Sequence, residues 1–187
     1  MKGARIVGYH GNKKSKCLAF IKSGVLISCD DSKWLGRGMY FWDNKSNADY
    51  WLKEKIRKTE LDCMEDGAII QALIDCDEML DLTDQSVVEE LNNVWVLLRV
   101  RDKKFSYDAE LGYKLNYILE RIEDFSSISV IKGIGDYRDY YRRKGDDFFI
   151  LKDSRIIEDV KVLYCVRCSN AIIEKIMEEV QNEKCIG

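Results

Sequence analysis

Proline is absent from this 187-residue sequence, and low-complexity runs and internal repeats are absent as well. Proline-rich or serine-rich linkers, at which a chain is often divided into domains, are therefore missing. Hydrophobic residues make up 46% of the chain, enough to bury a core without disulfides or a structural metal. We expect one domain over residues 1–187.

Long apolar segments are also absent. No window reaches the roughly eighteen consecutive apolar residues of a membrane span, and residues 1–12 lack the apolar stretch of a secretory signal. The seven cysteines are an odd set, which complete disulfide pairing cannot satisfy. The sequence thus predicts a cytoplasmic protein with reduced thiols and no membrane partner.

Metal-ligating residues are scarce. His10 is the only histidine, and the Cys165–Cys168 pair has no second pair at the spacing of a zinc finger. We therefore expect no metal site. The two cysteines are interpreted as thiols where a strand runs into a helix.

Neither sign of charge dominates, since 30 basic residues face 33 acidic ones and the net charge is −3. This balance argues against a surface built throughout to neutralise phosphates. One segment differs: Tyr137–Lys144 (YRDYYRRK) interleaves basic residues with tyrosines, a composition suited to phosphates and stacked bases. A solvated loop is the alternative interpretation of this segment.

Apolar periodicity and turn residues predict the elements of the first half of the chain. The predicted elements are a strand at Ala4–Tyr9 that delivers His10 to a turn, a short helix at Cys17–Gly24, a short strand at Val25–Cys29, a strand entered through Gly36–Trp42, a helix that begins near Asn47 after capping residues in Asp43–Ser46, and a strand at Gly67–Cys76.

The second half predicts two helices and then a return to strands. One helix follows Leu82-Thr83-Asp84 and a second carries Leu111–Ile122; strands are predicted at Ile128–Ile131, Asp147–Leu151 and Val160–Arg167, and a last amphipathic helix at Ile172–Val180. Strands before and after a helical middle indicate an α+β fold with a split, mostly antiparallel sheet flanked by helices. No GxGxxG follows a strand, which disfavours a doubly wound nucleotide-binding fold.

Three short segments carry the residues with chemical potential: Tyr9–Asn12 (YHGN), Leu35–Phe41 (LGRGMYF) and Asn47–Tyr50 (NADY). Taken singly, each has an ordinary structural explanation. A lone histidine on a strand is usually a hydrogen-bonded structural residue, and tyrosines on strands and helices are usually part of the core.

In their order along the chain, these segments resemble the poly(ADP-ribose)-polymerase-like ADP-ribosyltransferases. That family has His-Gly-Ser/Thr first, then Gly-Lys-Gly-Ile-Tyr-Phe, then a helix with Ala-Asn-Tyr; here Gly36, Gly38, Tyr40, Phe41, Ala48 and Tyr50 match, with one residue fewer between strand and helix. A wider resemblance joins uncharacterised bacterial proteins of the same fold through Leu35–Trp42, Leu80–Asp84 (LDLTD) and Val162–Arg167 (VLYCVR). The resemblance spans nearly the whole chain and implies an ADP-ribosyltransferase-like fold.

The resemblance implies that the chain binds NAD⁺, as substrate, through His10, Gly11, Asn12, Gly38, Tyr40, Asn47 and Tyr50. In it, Tyr40 and Tyr50 sandwich the nicotinamide, Gly11 lets the backbone approach the carboxamide, and His10 binds a ribose hydroxyl. Asn12 replaces the usual Ser/Thr, and Asn47 stands where a serine commonly contacts the carboxamide.

The resemblance also implies catalytic roles for His10 and Tyr40, and for a late glutamate that stabilises the positive charge developing on the ribose. Leu163 stands at that glutamate's position, and a leucine cannot perform its task. Glu158 and Asp159 are the nearest carboxylates, and we take Glu158 as the candidate. A solvated turn is the alternative interpretation of both.

Three functions remain open. The first is transfer of ADP-ribose from NAD⁺ to a protein or nucleic-acid acceptor, as a toxin or defence effector, with Tyr137–Lys144 as the candidate acceptor surface. The second is a catalytically silent relative that binds NAD⁺ or ADP-ribose. The third is an interaction module that kept only the fold.

Overall fold

The computed structural model describes residues 3–58, 60–136 and 160–178. The helices are α1 (Lys14–Ser23), α2 (Lys45–Arg57), α3 (Gln85–Arg101) and α4 (Leu111–Arg121). The strands are β1 (Arg5–Lys13), β2 (Cys29–Asp31), β3 (Gly36–Trp42), β4 (Gly67–Asp75), β5 (Met79–Asp81), β6 (Val130–Asp136), β7 (Val160–Val166) and β8 (Ile172–Glu178).

The strands form one sheet in the order β5-β6-β7-β3-β1-β4-β8, with β2 added beside β3. The short β5–β6 pair is parallel, and the other described pairs are antiparallel. The protein is therefore α+β with a mostly antiparallel sheet, as the sequence predicts.

Helices cover both faces of the sheet. Because side chains alternate along each strand, each face has its own apolar cluster. On β3, Met39 and Phe41 pack in a cluster with Cys17 and Phe20 of α1. The opposite face is covered by α2, α3 and α4, and its core has these buried members: Leu35, Trp42, Ala48, Leu52, Leu61, Ile69, Leu80, Leu91, Trp95, Phe105, Leu115, Ile118, Leu119, Phe125, Ile131, Leu163 and Cys165.

Local capping chemistry sets where several helices begin and end. The Asn44 side chain accepts a hydrogen bond from the Asn47 backbone N–H at the start of α2, within the predicted capping segment. Asp84 caps α3 through the Ser86 N–H at 2.8 Å. Gly24 ends α1 in the left-handed region with φ 74°. The predicted first four helices are confirmed within a few residues at their ends.

The prediction that His10 enters a turn is wrong. β1 continues to Lys13, because β4 pairs with it along its whole length, from Arg5 opposite Asp75 to Lys13 opposite Gly67. The glycines that suggested a turn serve close packing instead. A Cβ on Gly11 would lie 2.9 Å from the Ala48 carbonyl oxygen, so the missing side chain admits α2.

Two further element predictions are wrong. The short second strand lies at Cys29–Asp31 and not at Val25–Cys29, because the pairing with β3 places Cys29 opposite Gly38. The last predicted helix is instead the strand β8, which pairs with β4 from Ile172 opposite Ile74 to Glu178 opposite Ile69. Isoleucine is favourable in a strand. The edge of β4 away from β1 supplies the backbone hydrogen-bonding partners that favour a strand over a helix here.

Some predictions lie outside the described residues: the strand Asp147–Leu151, the segment Tyr137–Lys144, the carboxylates Glu158 and Asp159, and Val180. Among the described helices, none has the length and apolar character needed to cross a membrane.

Helix α4 packs tightly on the turn between β2 and β3. The Asn116 side-chain oxygen accepts hydrogen bonds from the Arg37 backbone N–H at 2.8 Å and from Arg167 Nη1 at 2.9 Å. One turn earlier, a Cβ on Gly112 would lie 2.8 Å from the Gly36 nitrogen and would overlap the Asp31 carbonyl oxygen. The helix therefore fixes the position of this turn.

Gly112→Ala is expected to destabilise the protein by about 3 kcal/mol, because the new methyl group overpacks the backbone of the β2–β3 turn. Helix propensity alone acts in the opposite direction, since alanine is the better helix former by roughly 1 kcal/mol. Urea unfolding measures the change. Arg121→Ala, an exposed change on the same helix, is the control, and a stabilised Gly112→Ala variant would contradict the packing argument.

Candidate functional site

The sheet divides between β1 and β3. These neighbouring strands share a single pair of opposed residues, Tyr9 and Trp42. Beyond this pair, the residues of β1 from His10 to Lys13 are paired with β4 alone. On β3, Tyr40 and Met39 are paired with Cys165 and Val166 of β7. The backbones therefore separate, and a cleft opens between them.

The cleft has a volume of about 390 Å³. Four aromatic side chains, two lysines and one carboxylate are among the residues that line it: Trp34, Tyr40, Trp42, Trp51, Lys16, Lys55 and Asp31, together with His10, Gly11, Asn12, Ile27, Ser28, Cys29 and Leu163. A larger and mainly apolar groove of about 670 Å³ lies nearby. We take the cleft as the candidate site because it contains His10, whose pKa is lowered by burial, together with several other polar side chains.

His10 bridges the opening. Its Nδ1 lies 2.7 Å from the Tyr40 carbonyl oxygen, which can only accept, so Nδ1 carries the proton. Nε2 is then an acceptor and receives a hydrogen bond from the Asn12 amide nitrogen at 3.2 Å. The Lys13 N–H donates to Asn12 Oδ1 at 2.8 Å, which fixes that orientation of the amide.

The His10 ring is neutral over a wide pH range. The pKa of His10 is lowered from 6.5 to about 4, chiefly by burial and to a smaller extent by the positive charges of Lys55 and Lys16, against the opposing effect of the Tyr40 hydrogen bond. The side chain is 8% exposed. An acceptor nitrogen with a fixed tautomer therefore lies at the edge of the cleft.

The Tyr40 ring lines the cleft while its hydroxyl serves the structure. The hydroxyl donates to the Gly36 carbonyl at 2.7 Å and accepts from the Leu35 N–H at 3.0 Å. Burial raises the pKa of Tyr40 well above its usual range, so the phenol stays protonated. The predicted role of Tyr40 as an aromatic surface for a ligand fits this geometry, and its catalytic role stays a prediction.

On α2, the aromatic residue that lines the cleft is Trp51, whereas Tyr50 does not line it. The Trp51 and Trp42 ring centroids are 6.1 Å apart. The resemblance matches Tyr50 to the family's tyrosine by allowing one residue fewer between the strand and the helix. Because each residue along a helix turns the side-chain direction by about 100°, neighbouring residues such as Tyr50 and Trp51 point in different directions. Tyr40 and Trp51 therefore both line the cleft, and Tyr50 does not.

Two other predicted ligand residues have structural surroundings outside the cleft. Asn47 is 8% exposed, and its side-chain amide donates to Asp43 at 3.0 Å. Gly38 lies where β3 approaches β7, and a Cβ there would be 2.7 Å from the Val166 carbonyl oxygen. Gly11 does line the cleft, although its missing Cβ is explained by α2 rather than by a ligand.

Charged residues of the cleft were missed by the sequence analysis. Lys16 on α1 and Lys55 on α2 lie on different elements, and Lys55 also pairs with Glu60 at 2.9 Å. Asp31 is the carboxylate among the described lining residues, and its Oδ1 accepts from the Lys33 N–H at 2.9 Å. No local pattern links these positions, because only the fold brings them together.

Leu163 lines the cleft from β7, where it is opposite Trp42 and Gly133. It is 5% exposed. Leu163 therefore lies beside the candidate site, whereas Glu158 lies outside the described residues. Within the described ranges, no group of three or more His, Cys, Asp or Glu residues is arranged to hold a metal ion.

Comparison with known proteins gives a similarity over part of the chain. No protein-family model matches the chain, and no solved structure matches it. The chain is similar to the uncharacterized protein MJ0359 of Methanocaldococcus jannaschii, with 35% identity over 88 residues. That match covers 44% of this chain and 40% of the Methanocaldococcus protein.

The stability of the wild type is expected to fall by about 2 kcal/mol more than that of His10→Gln when the pH is lowered from 7 to 5. The pKa of His10 is about 4 in the folded protein and 6.5 for an unperturbed histidine, as in the unfolded chain, so the unfolded chain binds the proton more readily over this interval. The stabilisation is therefore present above pH 6.5 and is lost as the pH falls toward 4.

Urea unfolding of both proteins at the two pH values measures this difference. The carboxylates are common to both proteins, so their contribution to the pH dependence cancels when the loss of stability of His10→Gln is subtracted from that of the wild type. Equal losses in the two proteins would mean that His10 is not held neutral by the fold.

Proposed function

We propose that the cleft binds NAD⁺ and that the protein transfers ADP-ribose from it to an acceptor. The observation that carries the proposal is the neutral His10 at the division of the sheet, with aromatic rings and two lysines around the same cleft. The proposal is also supported by the order along the chain of the segments that contain His10, Tyr40 and the start of α2, which resembles that of poly(ADP-ribose)-polymerase-like enzymes.

The cleft has groups suited to each part of such a ligand. A volume of about 390 Å³ falls within the roughly 300–1,000 Å³ of small-molecule sites. Tyr40 and Trp51 offer faces for the nicotinamide ring. Lys16 and Lys55 suit a pyrophosphate, and His10 Nε2 can accept a hydrogen bond from a ribose hydroxyl in place of Asn12.

Transfer requires that the bond between ribose and nicotinamide break while positive charge develops on the ribose. Asp31 is positioned at the cleft to stabilise that charge, and Glu158 remains the candidate from the sequence. The acceptor in this proposal is a protein or nucleic acid, with Tyr137–Lys144 as its contact surface. The proposed setting is the cytoplasm, in a toxin or defence effector.

A second function is favoured by Leu163, whose apolar side chain lines the cleft where a catalytic glutamate is expected. Without a working carboxylate, the protein would bind NAD⁺ or ADP-ribose without turnover. The two functions share a ligand and differ in chemistry, so binding and nicotinamide release must be measured on the same preparation.

NAD⁺ at about 100 times its dissociation constant is expected to add some 2.7 kcal/mol of stability and to raise Tm by about 5–10 °C. The same preparation should release nicotinamide, and His10→Ala should lose both signals. Asp31→Asn and Glu158→Ala identify the carboxylate, because only the working one abolishes release while the thermal shift remains. A shift without release in the wild type supports the silent relative, and neither signal leaves an interaction module.

Trp51→Ala is expected to weaken NAD⁺ binding by about tenfold or more, because stacking of a base-like ring on an aromatic side chain contributes roughly 1–3 kcal/mol. Tyr50→Ala, the neighbouring aromatic outside the cleft, is the matched control and should bind as the wild type does. Isothermal titration calorimetry measures both. The reverse order of effects would restore Tyr50 as the ligand residue.

A further inference from the structure

A second concave site lies on the other side of Leu163 from the cleft. This groove of about 670 Å³ is formed by α3, α4, the β2–β3 turn and the end of β6. The groove and the cleft share two lining residues, Trp34 and Leu163. Apart from these two residues the groove has separate walls, and the function proposed for the cleft does not use it.

The floor of the groove is buried and apolar, whereas apolar side chains around it remain open to solvent. Trp95 is 4% and Leu115 1% exposed, but Val88 and Leu111 are each 44% and Ile134 53% exposed. Apolar side chains that converge on a concavity without being covered mark a binding site more often than those scattered singly.

The charged groups among the described residues of the groove are all of one sign. Lys33 and Lys114 line it, and no carboxylate is among the described residues that do. Lys114 is held over the groove, since its Nζ donates to the Tyr107 carbonyl at 2.8 Å and lies 5.8 Å from the Trp95 ring centroid. Apolar walls with positive charges complement a molecule that has an apolar body and a negative group.

We propose that this groove binds a small apolar carboxylate, whose hydrocarbon or aromatic body lies on Trp95 and Leu115 and whose carboxylate contacts Lys33 and Lys114. The volume is within the range of small-molecule sites, so one compact ligand can fill it. Binding is independent of the NAD⁺ function proposed for the cleft, because the ligand needs no group of the cleft other than the shared walls.

The test uses 1-naphthaleneacetate as the probe and 2-(1-naphthyl)ethanol as its neutral counterpart with the same ring system. Calorimetry on the full chain is expected to give saturable binding of the carboxylate with a stoichiometry near one. The alcohol should bind several-fold more weakly. Raising the salt concentration should weaken the carboxylate alone, because salt screens exposed charges.

Charge-reversed variants locate the site. Lys33→Glu and Lys114→Glu together are expected to weaken carboxylate binding by about tenfold or more and to leave the alcohol unchanged. Lys22→Glu and Lys103→Glu together, two exposed lysines outside the groove, make the same charge change on the molecule and should bind the carboxylate within about twofold of wild type. Val88→Glu fills the opening with a carboxylate and should abolish binding of both probes.

Two results would overturn the proposal. One is carboxylate binding that is absent, or equal to that of the alcohol and unchanged by the paired lysine reversals. The other is a dimer in analytical ultracentrifugation that Val88→Glu dissociates, since the groove would then be covered by a second copy of the chain. NAD⁺ binding measured in parallel separates the sites, because a failure in one leaves the result for the other intact.

Discussion

The hydrogen bond from His10 Nδ1 to the Tyr40 carbonyl spans the sheet at the point where its two halves separate. It is continued on one side by the Asn12 amide and on the other by the Tyr40 hydroxyl, which is bonded to the Leu35–Gly36 backbone. Protonation of His10 would remove the acceptor that Asn12 uses. The shape of the cleft therefore depends on a neutral imidazole, and burial provides it.

Around this bridge the molecule is chemically asymmetric. Lys16 of α1 and Lys55 of α2 line the cleft, whereas Leu163 lines both the cleft and the neighbouring apolar groove. A leucine between the two cavities separates a polar site from an apolar one. The proposed NAD⁺ chemistry needs a carboxylate that β7 lacks at Leu163. Within the described lining of the cleft, Asp31 at the end of β2 is the candidate, and α4 packs against this part of the chain through Gly112.

Parts of the site were predictable from short segments because they depend on local order. His10 and Tyr40 are separated in sequence but belong to motifs that can be recognised, and the structure brings them to the same cleft. Trp51 was missed because the length of the turn before α2 determines which side chains of the helix face the cleft. The match to the family allows a turn one residue shorter and therefore selects Tyr50. Lys16 and Asp31 were missed because neither belongs to a pattern; each meets the cleft only through packing.

The sequence alone determined the helices that have periodic apolar faces and capping residues, the strands of the buried centre, and hence an α+β fold. These features depend on interactions within a few residues. Only the tertiary structure decided the continuation of β1 past His10, the assignment of Ile172–Glu178 to a strand, and the identity of the aromatic residue on α2 that lines the cleft. Each of these depends on partners tens of residues away, since the edge of β4 and the crossing of α2 over Gly11 are contacts that no local pattern encodes.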